Sequence, residues 1–344
     1  MRIAVIGAGS LGIVIGGLLA RAGRDVELVA HRQESVDALN SQGAVITGAL
    51  EAVIPVTAVT PAQLHGTYDR VLLLTKLDAT RQALAELSSH LNADSLVCTL
   101  QNGMPEELVA EAVGKQRTAG GVVLIGAARQ GPNVSRLTSK TEMLAHAFEI
   151  GELDGRATPR ITELAETLSA VGGCHVVPNL LDIRWAKLLI NTSVGAMTAV
   201  FGSGNKTIME TPEALALTIR AADETIRVAH AAGCKLAPLQ ELDMEVLAIP
   251  AGPEGGRPED RFALFREYFL PWGETRSSMH QDLAAGRRTE VRLLNGYVAA
   301  KGRELDVATP VNDFVMRVVT DAEAAGRVPT MAESLARAKQ ELTQ

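Results

Sequence analysis

The sequence predicts an α/β protein: an N-terminal doubly wound sheet over residues 1–178 and an all-helical part over residues 179–344. Three observations predict it. Short apolar runs alternate with helical patterns from Arg2 to Val177, the pattern of a mostly parallel sheet with crossover helices. Three glycines at G-x-G-x-x-G spacing, Gly7, Gly9 and Gly12, join the first strand to the first helix. Strand signals then stop near Asn179, and long helical patterns replace them.

Ile3, Val5 and Ile6 make one short buried strand, and Ile15, Leu18 and Leu19 share a helix face after the turn. Gly23 stops that helix before a second strand, Val26 to Val29. Strand, glycine turn, helix and strand form a Rossmann-type unit, the context in which the motif points to a dinucleotide. Gly7 permits the tight turn, Gly9 lets the backbone approach a pyrophosphate, and Gly12 lets helix and strand pack closely. The N–H groups of Ser10, Leu11 and Gly12 then face the phosphates at the positive end of the helix dipole. A dinucleotide site that prefers NAD ends its second strand with a carboxylate. Here that place reads His31-Arg32, and Arg32 suits a 2′-phosphate, so the expected cofactor is NADP(H).

Further along, a helix is expected near Ser35–Gln42 and one or two edge strands within Val45–Val59. Asp69–Thr75 reads as a buried parallel strand ending at Lys76, and a helix follows near Ala79–Leu87. Ser95–Leu100 is the next strand, ending at Gln101-Asn102, before a helix opened by Pro105. Ala119–Ala127, Glu149–Glu152 and Cys174–Val177 complete the strands, with a helix at Ile161–Val171. In such a sheet, ligands gather at the carboxyl ends of the strands, where Lys76 and Asn102 both fall. The second half reads as helices at Leu180–Val200, Pro212–Ala232, Met279–Ala285, Glu290–Lys301, Pro310–Ala325 and Ala332–Leu342. Thr211-Pro212 and Thr309-Pro310 look like capped helix starts. An insertion near 236–273 holds a Gly/Pro loop, residues 248–258, and then Phe262, Phe265, Tyr268, Phe269 and Trp272. At helical spacing these aromatics pack on the core or on a second subunit of a homodimer; a lid over the active site is the sharper alternative.

Composition narrows the function. A net charge of −7 and an aromatic share of 3% argue against a nucleic-acid partner or an acidic membrane surface. Cys98, Cys174 and Cys234 are scattered, without metal-ligand spacing, and suit a reducing compartment. The first strand begins at residue 2 or 3, and Lys187 and Asn191 interrupt the longest apolar stretch. A soluble cytoplasmic protein is expected.

Lys187 and Asn191 stand one turn apart on an otherwise apolar helix, and Gly195 continues their face. A lysine facing a domain cleft can protonate a carbonyl oxygen as hydride arrives and stabilise the developing charge. A lysine on an apolar face can also simply snorkel to water. Asn102 could hold Lys187 or a nicotinamide, although Asn-Gly is also an ordinary turn. Ser278 and Gln281 have capping-box spacing, and Glu290 at a helix start is favoured by the dipole alone.

Together these residues resemble the ketopantoate reductase (2-dehydropantoate 2-reductase) family over nearly the whole chain. The resemblance rests on Gly7–Gly12, Thr75-Lys76, Gln101–Met104, Asn179 with Trp185-x-Lys187-x3-Asn191, and Ser277–Asp282 followed by Thr289-Glu290. It implies an NADPH-dependent reduction of a small 2-oxo acid, with 2-dehydropantoate the first candidate. It implies that Lys187 is the catalytic general acid and that Asn102 positions it and contacts the cofactor. Glu290 would orient the substrate hydroxyl, Ser278 and Asn191 would hold the substrate, and Lys76 would lie at the cofactor edge. Two places depart from the family pattern: Gly195 and Thr275 stand where asparagines are usual. That suggests a bulkier 2-oxo acid, with Arg276 as its carboxylate clamp. A β-hydroxyacid dehydrogenase also carries lysine and asparagine one turn apart, but usually after a glycine-rich run that Leu181–Ala186 lacks. A non-catalytic NADPH-binding sensor would need only the glycine turn.

Overall fold

A computed structural model describes residues 1–239, 242–250 and 256–342. The chain divides into two units, Met1–Leu180 and Leu181–Gln344.

Unit 1 is built on an eight-stranded sheet. Its strands are β1 (Arg2–Ile6), β2 (Asp25–Val29), β5 (Thr57–Val59), β6 (Tyr68–Leu73), β7 (Leu91–Thr99), β8 (Thr118–Val123), β11 (Phe148–Glu152) and β12 (Cys174–Val176). Their order is β12-β11-β8-β7-β6-β1-β2-β5, with only the β8–β11 pairing antiparallel. Helices α1 (Ser10–Arg21), α2 (Gln33–Gln42), α3 (Thr80–Leu87), α4 (Glu106–Val113) and α5 (Pro159–Leu168) accompany it. Ile3, Val5, Leu72 and Cys98 form one continuous core with Ile15, Leu18 and Leu19 of α1. Because β1 lies between β2 and β6, the chain order reverses there. Sheets of this kind bind their ligands outside the carboxyl ends of the strands at such a reversal.

A second, four-stranded sheet is absent from the sequence expectation. It runs β4 (Ala52–Ile54), β3 (Ala44–Gly48), β10 (Val134–Leu137), β9 (Ala127–Arg129). The expected edge region Val45–Val59 therefore supplies three strands to two sheets. The expected strand Ala119–Ala127 is likewise two, β8 in one sheet and the start of β9 in the other. Local alternation could not show this, because β3 pairs with the distant β10. The Ser135 hydroxyl of β10 donates to Ser10 O at 2.8 Å, tying this sheet to the start of α1.

Unit 2 comprises α6 (Leu180–Ile190), a π-helical turn at Asn191–Gly195, α7 (Ala196–Phe201), α8 (Asn205–Glu210), α9 (Pro212–Ala231), α10 (Phe262–Phe269), α11 (Ser278–Ala284), α12 (Asn295–Glu304), α13 (Pro310–Ala325) and α14 (Met331–Glu341). The helix expected over Leu180–Val200 is thus one rod with a wide turn inside it. The threonine caps differ from expectation. Thr211 and Thr309 make no capping bond. Thr211 Oγ1 donates to Thr207 O, and the Val311 and Asn312 amides at the start of α13 go to Glu224. α12 begins at Asn295 rather than Glu290, so Glu290 precedes a turn, its carbonyl accepting from Leu293 N and Leu294 N. Phe265 and Phe269 are fully buried, and Asn205 of α8 donates to Phe269 O, so α10 packs on the core. Residues 251–255 of the expected Gly/Pro loop lie outside the described residues. No helix of the described residues is long and apolar enough to cross a membrane.

Candidate active site

In unit 1 the predicted cofactor residues collect along one edge of the sheet. Gly7 has φ +104°, and a Cβ there would stand 2.8 Å from Thr75 N. Gly12 passes so close that its Cβ would lie 2.1 Å from Gly7 O. Gly9 differs: it is extended, and a Cβ on it meets nothing within 4 Å. It starts α1 without a side-chain cap, so the first-turn N–H groups of Ser10, Leu11 and Gly12 have no such acceptor. That open, uncapped start fits a diphosphate.

The neighbouring strand ends carry the rest. Arg32 is exposed at the N-cap of α2, and its carbonyl accepts from Ser35 N and Val36 N. His31 Nε2 lies 3.8 Å from Glu86. Sequence reasoning missed Arg129, whose Nη2 donates to Ser35 Oγ at 2.8 Å and brings a second guanidinium to the first turn of α2. Only the unforeseen sheet places it there. Thr75-Lys76 follows β6 and Gln101-Asn102 follows β7. Buried Gln101 straps the two turns together: its Nε2 donates to Thr75 O at 2.9 Å and to Thr80 Oγ1 at 2.8 Å. Gly103 takes φ +77°, so Asn102-Gly103 is also the tight turn its composition suggested.

In unit 2 the predicted residues come from three elements. Trp185, Ala186, Leu188 and Leu189 around Lys187 are buried. Lys187 itself is half-buried and, among the described residues, has no ion-pair partner. Burial pushes its ammonium down to about 8. Asn191 opens the π turn. Ala196 N–H reaches back five residues to Asn191 O, and Thr192 and Ser193 hydroxyls donate to Leu188 O and Leu189 O. Two tethers bring other segments to this rod. Ser277 Oγ lies 2.8 Å from Thr198 Oγ1, and His280 Nδ1 lies 2.8 Å from Thr198 O, which fixes the start of α11. Asn295 Nδ2 donates to Thr192 O at 2.8 Å, and the Trp185 and Tyr297 rings are 6.0 Å apart. These fix the turn that follows Glu290. Thr289 donates to Glu323 Oε1 through both its amide and its hydroxyl. Burial opposes the Glu323 charge, but Thr289 and Arg292 hold its carboxyl below the usual range.

Two details correct the sequence expectation. The residue that caps α11 is Ser277, which accepts from His280 N at 3.2 Å, not Ser278. Gln281 bonds Arg276 O rather than the cap. The exposed Ser278 hydroxyl is therefore not used for capping, and Arg276 is exposed beside it. A Cβ on Gly195 would lie 3.7 Å from Ser277 Cβ, so position 195 faces the start of α11.

The family model described as ketopantoate reductase PanE/ApbA matches residues 3–153, and its C-terminal counterpart matches residues 179–323. The chain is 31% identical over 333 residues to a 2-dehydropantoate 2-reductase of Halobacterium salinarum, covering 95% of this chain and 100% of that protein. It is 28% identical over 326 residues to one of Pyrococcus abyssi, covering 94% and 98%. A PanE/ApbA-family ketopantoate reductase from Ralstonia eutropha superposes with a TM-score of 0.78 at 26% identity, over 95% of this chain and 99% of that one. A D-mandelate dehydrogenase in ternary complex with NADH and anilino(oxo)acetate superposes at 0.80 with 22% identity, over 95% and 99%; it shares the fold.

Proposed function

The chain belongs to the ketopantoate reductase family, and on that premise we propose that it reduces a 2-oxo acid to a 2-hydroxy acid with NADPH. The observation that carries the proposal is Lys187: a lysine on an apolar helix, without an ion-pair partner among the described residues, its acidity raised toward neutral pH by burial. An ammonium near 8 is mostly protonated at pH 7 yet gives up its proton more readily than an ordinary lysine, which suits a general acid.

The open start of α1 supports a bound pyrophosphate, and Arg32 with Arg129 at the first turn of α2 supports a 2′-phosphate. The nicotinamide supplies the hydride. Lys187 Nζ donates the proton to the carbonyl oxygen and stabilises its negative charge as it forms. Glu290 and Asn191 orient the hydroxyl and the oxo group, Ser278 and Arg276 hold the carboxylate, and Asn102 and Lys76 contact the cofactor. 2-Dehydropantoate is the first candidate, as in the proteins of highest identity given above. Gly195 and Thr275 favour a second reading, a bulkier 2-oxo acid, because two amide side chains are missing from this site.

Initial rates with a panel of 2-oxo acids, each with NADPH and with NADH, test this. We expect NADPH to be preferred and Arg32→Ala to raise the KM for NADPH while sparing NADH. Equal effects on both cofactors would defeat the 2′-phosphate assignment. No turnover with any member of the panel would defeat the reductase reading.

A further inference from the structure

A buried polar chain drawn from three other helices closes on the π turn beside Lys187. In an unbroken α-helix, Ala196 N–H would go to Thr192 O; here it goes to Asn191 O. Thr192 O instead takes a bond from Asn295 Nδ2 at 2.8 Å. The same nitrogen donates to Asn312 Oδ1 at 3.0 Å. Asn312 Nδ2 continues to Glu224 Oε2 at 2.8 Å and to Ala221 O at 3.2 Å. Glu224 also accepts Val311 N and Asn312 N, filling the capping place that Thr309 does not use. Thr192 Oγ1 lies 3.0 Å from Thr225 Oγ1. Thr192, Thr225, Asn295 and Asn312 are fully buried, and Glu224 is 3% exposed.

Polar groups are expensive in such a place unless paired, and apolar packing would join these helices at less cost. Asn295 even keeps its Oδ1 without a partner among the described residues while both its donor bonds are made. What the chain gains is a directed donor at one carbonyl of the one wide turn in the rod. The extra residue in that turn rotates everything after it by about 100° about the axis. It therefore decides how Lys187 and Asn191 stand relative to Thr198, and through Thr198 relative to Ser277 and Ser278.

We propose that Glu224, Asn312 and Asn295 are positioning residues that hold the π turn, and so hold Lys187 and Asn191 in register with the start of α11 and the turn after Glu290. None of the three touches substrate; they act through the backbone at Thr192. Their effect on turnover rests on the reductase reading of Lys187, whereas their hold on the turn does not.

Two variants test this in the full-length protein. Asn295→Asp keeps the shape but sets an oxygen against Thr192 O. Glu224→Gln disturbs the far end of the chain and provides a second measurement should the first variant fold poorly. Amide hydrogen exchange across 188–198 should speed up at least about tenfold in either variant. In the folded fraction, kcat should fall about 10- to 100-fold, the cost of a small misplacement of reacting groups. The KM for NADPH should stay within about twofold, and the double variant should lose less than the product of the single losses. Unchanged exchange at the turn would overturn the proposal. So would faster exchange with kcat per folded molecule intact, the result of a purely structural role. A wild type inactive on every 2-oxo acid would instead defeat the reductase reading, and exchange alone would then judge the hold on the turn.

Discussion

At position 187 burial ties the acidity of one side chain to the stability of the fold. An ordinary lysine holds its proton up to about 10.5, whereas burial lowers Lys187 to about 8 in the folded chain. Between those values the unfolded chain binds more protons, so the stability of the wild type rises with pH across that window. Below pH 8 the folded state carries the whole penalty of a desolvated charge. Lys187→Met should therefore unfold at a higher temperature than wild type at pH 7, by a margin that shrinks as pH rises from 8 to 10.5. The same variant should lose about 10²–10⁴ in kcat, the range for removing a general acid. Thermal unfolding at pH 7 and pH 10 checks the first part. A variant less stable than wild type at pH 7 would show that the ammonium is not desolvated.

Single elements separate what the chain needs for folding from what it needs for a ligand. Gly12→Ala sets a methyl against Gly7 O and should cost about 3 kcal/mol or more, by overpacking. Gly9→Ala meets nothing and should cost at most about 1 kcal/mol, the scale of an N-cap change. Yet Gly9→Ala should weaken NADPH binding at least about tenfold, because on the proposed reading the space it fills is the one the pyrophosphate would approach. Denaturant unfolding and fluorescence titration measure the two effects. The serine pair divides in the same way. Ser277→Ala should cost about 1 kcal/mol as a lost cap, whereas Ser278→Ala should spare stability and raise the KM for the 2-oxo acid.

The glycine turn was legible in the sequence because its demands are local: three residues and the elements on either side. Lys187 and Asn191 were legible as a pair because four residues make one helical turn. The π turn was not, because Thr192 O finds its donor at Asn295, more than a hundred residues away. Arg129 was hidden for the same reason, since β9 reaches α2 only through a sheet whose strands are distant in sequence. The cap on α11 shifted by one residue because Ser277 has Thr198 to pair with and Ser278 does not.

At the scale of the whole molecule, each unit has its own inventory. Unit 1 offers the glycine turn, two guanidinium groups at α2 and a strapped pair of strand ends. Unit 2 offers a desolvated lysine whose surroundings are fixed by hydrogen bonds from α7, α11 and α12. Ligand binding should register in stability: NADPH at a hundred times its Kd adds about 2.7 kcal/mol to the state that binds it. On the proposed reading, Lys187 delivers the proton once cofactor and 2-oxo acid are both bound. Single-turnover oxidation of bound NADPH, followed at 340 nm after mixing with the best acid of the panel, isolates that step. A rapid decay is expected in wild type and one about 10²–10⁴ slower in Lys187→Ala at equal NADPH occupancy. Equal decay rates in the two proteins would contradict it.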